Sequence, residues 1–241
     1  MSTVNPSDLP PASAAASISP DGLDDRLAEA ARYAVLNRLM PVLRHDVAGV
    51  LQPIRTLLLV LERRVQRAEP DLEAIAKTVA SISTLTKQAT VDCMSALGWI
   101  ASTEDVHVSL RSSVDEATQL LALEFSVNSL SLVNGIADDS ATAPQSFLRS
   151  VFMGALLAFC DQCVAGGTLQ VTFDAAAADS SQPGRLLVRM LPDEVEKLPS
   201  AFEGGRKYRT IGWPDVAAMA RACGVQMVRG DAWLTLDLPK P

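Results

Sequence analysis

Apolar positions along the first hundred residues recur with helical spacing. From Leu27 to Val65 they fall at Leu36, Leu39, Met40, Leu43, Val47, Val50, Leu51, Ile54, Leu57, Leu58, Leu61 and Val65, a wide stripe on one long helix. Asp24 or Asp25 can cap its start. Pro41 and Pro53 lie inside it. Each removes a backbone donor, so the spacing predicts a helix that is bent or divided there. Pro70-Asp71 reads as a turn and a new helix start. A second helix, from about Asp71 to Ile100, carries Leu72, Ile75, Val79, Ile82, Leu85, Thr86, Ala89, Cys93 and Leu97 on one face. Two such helices form an antiparallel hairpin. Their stripes are too wide for two helices to bury, which predicts a dimer closing into a four-helix bundle.

The period changes after Ser102. Val106–Leu110 and Leu130–Ile136 read as strands, with a helix over Val114–Ser126 between them. Asp138–Pro144 reads as a loop and Gln145–Val164 as a helix ended by Gly166-Gly167. Thr168–Asp174 and Leu186–Met190 read as strands around a loop at Ala175–Gly184. Pro214–Cys223 has proline in its first turn and Gly224 at its end, as a helix should. Val225–Val228 and Trp233–Leu238 read as a hairpin around Gly230-Asp231. The fold class is therefore α+β: a helical hairpin over 23–102, then an α/β sandwich over 103–241 with helices on one face of a mixed sheet. Residues 1–22, rich in Ser, Ala, Pro and Asp, read as a disordered tail.

Composition narrows the partners. The 241 residues carry a net charge of −7, which argues against nucleic acid or an anionic membrane as the main partner, since phosphates select an excess of Lys and Arg. No apolar run is long enough to span a bilayer, and Met1–Pro20 lacks the pattern of a signal peptide. Four cysteines in a chain this long make no disulfide framework and read as the reduced thiols of a cytoplasmic protein. Cys160 and Cys163 form a CxxC inside a helix, with no second pair to complete a metal site. Trp99, Trp213 and Trp233 read as packing residues. His107 reads as structural or exposed.

His45 is one of two histidines. It lies roughly 200° around the helix from Leu43 at 3.6 residues per turn, so it should face solvent. Its neighbours at helical spacing are Pro41, Ala48, Gly49 and Gln52, mostly small. On these residues alone it is either an ordinary surface histidine or one open to the close approach of another protein. Asp46 can orient the ring or take its proton, or be a surface carboxylate beside Arg44. Arg44 can face a phosphoryl group or be solvated. Arg38, Arg44 and Arg55 would give the helix a basic strip for an acidic partner.

The order of these elements resembles the dimerisation and catalytic regions of bacterial sensor histidine kinases. There the phosphoaccepting segment reads His-(Glu/Asp)-x-x-x-x-Leu-x-x-Ile, and here His45-Asp46 is followed by Leu51 and Ile54. Phe147–Val151 through Gly166–Val171 resembles the helix and strand around the kinase N box. Ala201–Gly204 resembles its F box, Gly212–Gly224 its last glycine-box helix, and Trp233–Pro239 its closing strand. Three departures stand out. The positions matching the metal-holding Asn are Gly154 and Ala158. Met190-Leu191-Pro192-Asp193-Glu194 stands where Asp-x-Gly-x-Gly is needed. Only Gly212 remains of the second glycine-rich segment.

Positioning and charge neutralisation supply most phosphoryl-transfer catalysis, so the resemblance implies a kinase-like sandwich without ATP. A retained histidine over such a sandwich is similar to the dimeric histidine phosphotransferases. That implies a homodimer in which His45 relays a phosphoryl group between aspartates of response-regulator receiver domains, or of a hybrid kinase. The chain would need no cofactor of its own, Mg²⁺ coming from the receiver. Gly49 stands where kinases with phosphatase activity have Thr or Asn, so water activation is not implied. The alternative is a non-catalytic pseudokinase scaffold that binds receivers or kinases without exchanging phosphate.

Overall fold

The computed structural model describes residues 20–100, 105–138, 140–162, 166–175, 184–192 and 209–238. Helix α1 spans Pro20–Val65 and α2 spans Leu72–Ile100. Asp71 starts α2 by accepting the Ala74 N–H at 3.0 Å, a helix cap. The expected tail ends sooner than residue 22, because α1 already begins at Pro20; the rest of the tail lies outside the described residues. Pro41 and Pro53 do not divide α1. Both are exposed, so water can serve the carbonyls their missing donors leave free. Packing along both halves of the helix offsets what remains of the cost.

Those two halves have different partners. The second half pairs with α2 through Val47, Val50, Ile54, Leu57 and Leu61, against Ile75, Thr78, Ile82, Leu85 and Ala89. Both series step by three and four, the seam of antiparallel helices. In the first half, Ala31, Ala34, Val35, Leu39 and Leu43 are buried in the core of the sandwich. Alanines three residues apart let the backbone of α1 approach its neighbours closely. These five side chains of the hairpin expected over 23–102 thus share one core cluster with the sandwich expected over 103–241.

Strands β1 (His107–Ser109) and β3 (Thr142–Pro144) pair antiparallel. The stretch expected to be a loop up to Pro144 thus ends in a strand. Helices α3 (Leu110–Leu120) and α4 (Ala122–Val127) lead to β2 (Leu130–Asn134). The next helical stretch comprises α5 (Gln145–Phe147), a π turn at Leu148–Phe152 and α6 (Met153–Gln162). After it come β4 (Gly167–Asp174), β5 (Arg185–Pro192), α7 (Trp213–Ala222), β6 (Gln226–Arg229) and β7 (Trp233–Asp237).

The five-stranded sheet runs β2-β4-β5-β7-β6, with only β2–β4 parallel. Leu169, Val171, Leu186, Val188, Leu234 and Leu236 point into the core beneath α1, α6 and α7. Helix α7 ends in a Schellman motif. The Val225 N–H reaches the Ala220 carbonyl at 2.9 Å and the Gly224 N–H the Arg221 carbonyl at 3.0 Å. Gly224 has φ +65°, a left-handed conformation natural to glycine. The residues resembling the F box, Ala201–Gly204, lie outside the described residues.

Arg38 corrects one expectation. It is not part of an exposed basic strip, because its side chain is buried between helices. It reaches Glu124 of α4 at 2.6 Å and Asp161 of α6 at 3.0 Å. Asp161 also accepts the Ile211 N–H at 2.7 Å. Burial alone would weaken the Arg38 charge, but its hydrogen bonds to Glu124 and Asp161 outweigh that and raise its pKa above the ordinary value. The network bolts the first half of α1 to the sandwich.

Candidate functional site

Half a turn beyond Leu43, α1 leaves the core and carries His45 into solvent; its side chain is 85% exposed. Nδ1 of His45 lies 3.3 Å from Asp46 Oδ1. With the ring proton on Nδ1, Asp46 accepts it and the Nε2 lone pair faces outward. Both side chains are exposed, so this contact orients the ring more than it stabilises the fold. Arg44, Ala48, Gly49, Gln52 and Arg55 are exposed as well. A Cβ built on Gly49 meets nothing within 4 Å.

A groove of about 490 Å³ opens beside the histidine. His45, Asp46, Val47 and Gly49 of α1 form one wall. Asp92, Ser95, Ala96 and Trp99 of α2 form the second, and Glu116, Gln119 and Leu120 of α3 the third. Further along α1, a shallower depression of about 480 Å³ is lined by Gly49, Gln52, Pro53, Thr56 and Leu57. Gly49 belongs to both, so the small-residue face continues into the groove.

Of the residues singled out in the sequence, His45, Asp46 and Gly49 share the groove, and Gln52 lies in the adjoining depression. Arg44, Ala48 and Arg55 line neither, and Arg38 lies in the core. The groove is instead acidic, with Asp46, Asp92 and Glu116 on its three walls. Sequence reasoning missed Asp92, Trp99 and Glu116. Asp92 had a signal: it continues the seam that runs Ile75, Thr78, Ile82, Leu85 and Ala89, where an apolar residue belongs. Trp99, read as packing, occupies the same seam and is half-buried at the end of α2.

The positions resembling the N box are closed. Ala158 is fully buried. A Cβ on Gly154 would collide with Cε of Met219 from α7 and lie 3.5 Å from Val35 of α1. His107 is exposed on β1, and Cys160 is buried, while Cys163 lies outside the described residues. No group of His, Cys, Asp or Glu among the described residues is arranged to hold a metal ion. Nor is any described helix long and apolar enough to cross a membrane.

No family model and no curated relative matches the chain. Among solved structures it is similar to the Acinetobacter baumannii histidine kinase AdeS, at 12% identity and TM-score 0.42, over 77% of this chain and 96% of that one. It is similar to a bacterial phosphotransferase at 15% identity and TM-score 0.37, over 85% and 95%. The ATP-binding domain of PrrB from Mycobacterium tuberculosis gives 21% identity and TM-score 0.37, over 57% and 98%. These are likenesses of layout at low identity, and none bears on the chemistry of the groove.

Proposed function

We propose that the protein is a dimeric histidine phosphotransferase of a two-component pathway, with His45 as the phosphoryl carrier. The observation that carries this is the exposed imidazole, held at Nδ1 by Asp46, at the mouth of a groove large enough for part of a partner. In the forward step Nε2 attacks the phosphorus of a receiver's aspartyl phosphate. The N–P bond forms, the acyl phosphate P–O bond breaks, and the receiver carboxylate leaves with the electron pair. The ring keeps its Nδ1 proton and becomes a phosphorylated imidazolium that Asp46 stabilises. Transfer to a second receiver aspartate reverses these bonds. Mg²⁺ in the receiver would neutralise the transferring oxygens, which leaves this chain to supply nucleophile and position.

The buried Gly154 and Ala158 support transfer without autokinase activity. An Asn at Gly154 would meet Val35 of α1 and Met219 of α7, and one at Ala158 would lie in the buried core rather than toward a nucleotide. The exposed stripe of Leu51, Leu58 and Val65 on α1, with Leu72, Val79 and Leu97 on α2, supports a second copy completing a four-helix bundle.

The test is phosphoryl transfer from a receiver domain charged with radiolabelled acetyl phosphate. Wild type should take label at His45, and His45→Ala should take none while still binding the receiver. Label on the alanine variant would refute the assignment. A wild type that binds but never accepts label would favour a scaffold.

A further inference from the structure

The groove has a support that touches none of the reacting atoms. Trp99 and Glu116 line the His45 groove and also a separate cavity of about 130 Å³ behind it. They are tied together, with Trp99 Nε1 donating to Glu116 Oε1 at 3.2 Å. The side chain against their far side is Arg149. Its guanidinium stacks on the indole, 4.8 Å from the ring centroid, and Nη1 donates to the Gly98 carbonyl. Gly98 admits this approach, since a Cβ there would lie 3.3 Å from Nη1. Arg149 stands on the π turn Leu148–Phe152. Such a turn inserts one residue into the helical register and re-aims the side chains around it. Its Nε is buried without a hydrogen-bond partner, an arrangement that stability alone does not favour.

We infer that Arg149 is a positioning residue for phosphotransfer, holding Trp99 and Glu116 as the fixed wall of the His45 groove. The inference rests on the phosphotransferase reading. It follows from the stacking, which fixes the indole plane, and from the Gly98 bond, which pins the end of α2 to the sandwich. Without the guanidinium, Trp99 gains rotational freedom. The groove is then one wall short of preorganised, and docked receivers lose alignment with Nε2.

The experiment compares wild type, Arg149→Met, Arg149→Lys and Trp99→Phe in full-length dimer. The probe is the receiver that labels wild type fastest after charging with radiolabelled acetyl phosphate. Arg149→Met should lower the transfer rate at saturating receiver by about tenfold or more with little change in receiver affinity. Arg149→Lys, which keeps charge and part of the stacking, should restore part of that loss. Trp99→Phe should lower the rate, and adding Arg149→Met to it should cost little more, because both act through one wall. In a background with Trp213 and Trp233 replaced by Phe, Arg149→Met should shift Trp99 emission to the red. Arg149→Met that transfers like wild type, or leaves Trp99 emission unchanged, overturns the positioning role while leaving the carrier assignment standing. A wild type that accepts no label from any receiver refutes the carrier assignment itself and takes this inference with it. Should Arg149→Met fail to fold, Trp99→Phe and Arg149→Lys decide: wild-type rates in both overturn the proposal.

Discussion

Gly49 meets two opposing demands. Glycine inside a helix costs about 0.5–1 kcal/mol relative to alanine, and nothing within 4 Å would obstruct a methyl there. Gly49→Ala should therefore raise the unfolding free energy measured in urea by that increment. The same methyl would project into the groove one turn from His45, so receiver association should slow in surface-plasmon measurements. Gly49→Arg should abolish binding and transfer together. Stabilisation with unchanged association would show that the small-residue face is not a docking surface.

Arg38 makes a contrasting case. Arg38→Ala removes the guanidinium that Glu124 and Asp161 share, a loss of about 3–5 kcal/mol for breaking a buried pair. Denaturation should detect it as destabilisation, with no specific change in the salt dependence of receiver binding. The sequence could not distinguish Arg38 from Arg44 or Arg55, because its partners lie 86 and 123 residues away. Asp92 was legible by its position in the seam, whereas the contribution of Glu116 depends on how α3 sits against α2.

The two long helices show what periodicity can and cannot resolve. Their extent was readable to within a few residues, since each rests on many repeats of one spacing. Periodicity also returned one wide stripe for α2. In the fold this is two: Ile75, Ile82 and Leu85 turned toward α1, and Leu72, Val79 and Leu97 left outward. The outward stripe on α1 repeats every seven residues through Leu51, Leu58 and Val65. In the proposed dimer, Leu51→Asp or Leu58→Asp would place an unpaired charge in the bundle core and should give a monomer in light scattering. A dimer that survives both changes would locate the second copy elsewhere.

Shorter elements escaped for different reasons. β3 has three residues and exists through its pairing with β1. The π turn interrupts a stretch whose composition is helical throughout.

For the molecule as a whole, Gly154 and Ala158, the positions resembling the metal-holding Asn of kinases, are buried in α6 against the core. Val35 of α1 and Met219 of α7 flank Gly154, and Arg38 holds α1 in place. Titration calorimetry with ATP and Mg²⁺ should register no heat of binding at millimolar nucleotide; micromolar affinity would return the chain to the kinases. The succession of elements in the sandwich was legible because its strands are bounded by turn residues and α7 by Pro214 and Gly224; the strand order was not, because it joins residues far apart in the chain. That α1 contributes to its core was not legible. A helix with apolar residues over its whole length gives no sign of changing partners midway.

The shared use of α1 also has a consequence for biosynthesis. Asp24 and Arg221, 197 residues apart, meet at 3.2 Å, and Arg32 donates to Cys223 Sγ across a similar span. On a ribosome, α1 emerges well before α7, which completes the surface that Ala31, Val35 and Leu39 need. The hairpin can form early from its local seam. The first half of α1 must wait, its alanine-lined face uncovered, until α7 has been made. A nascent chain stalled before Trp213 would therefore present a sticky half-helix to chaperones, and a chain extended through α7 would release them.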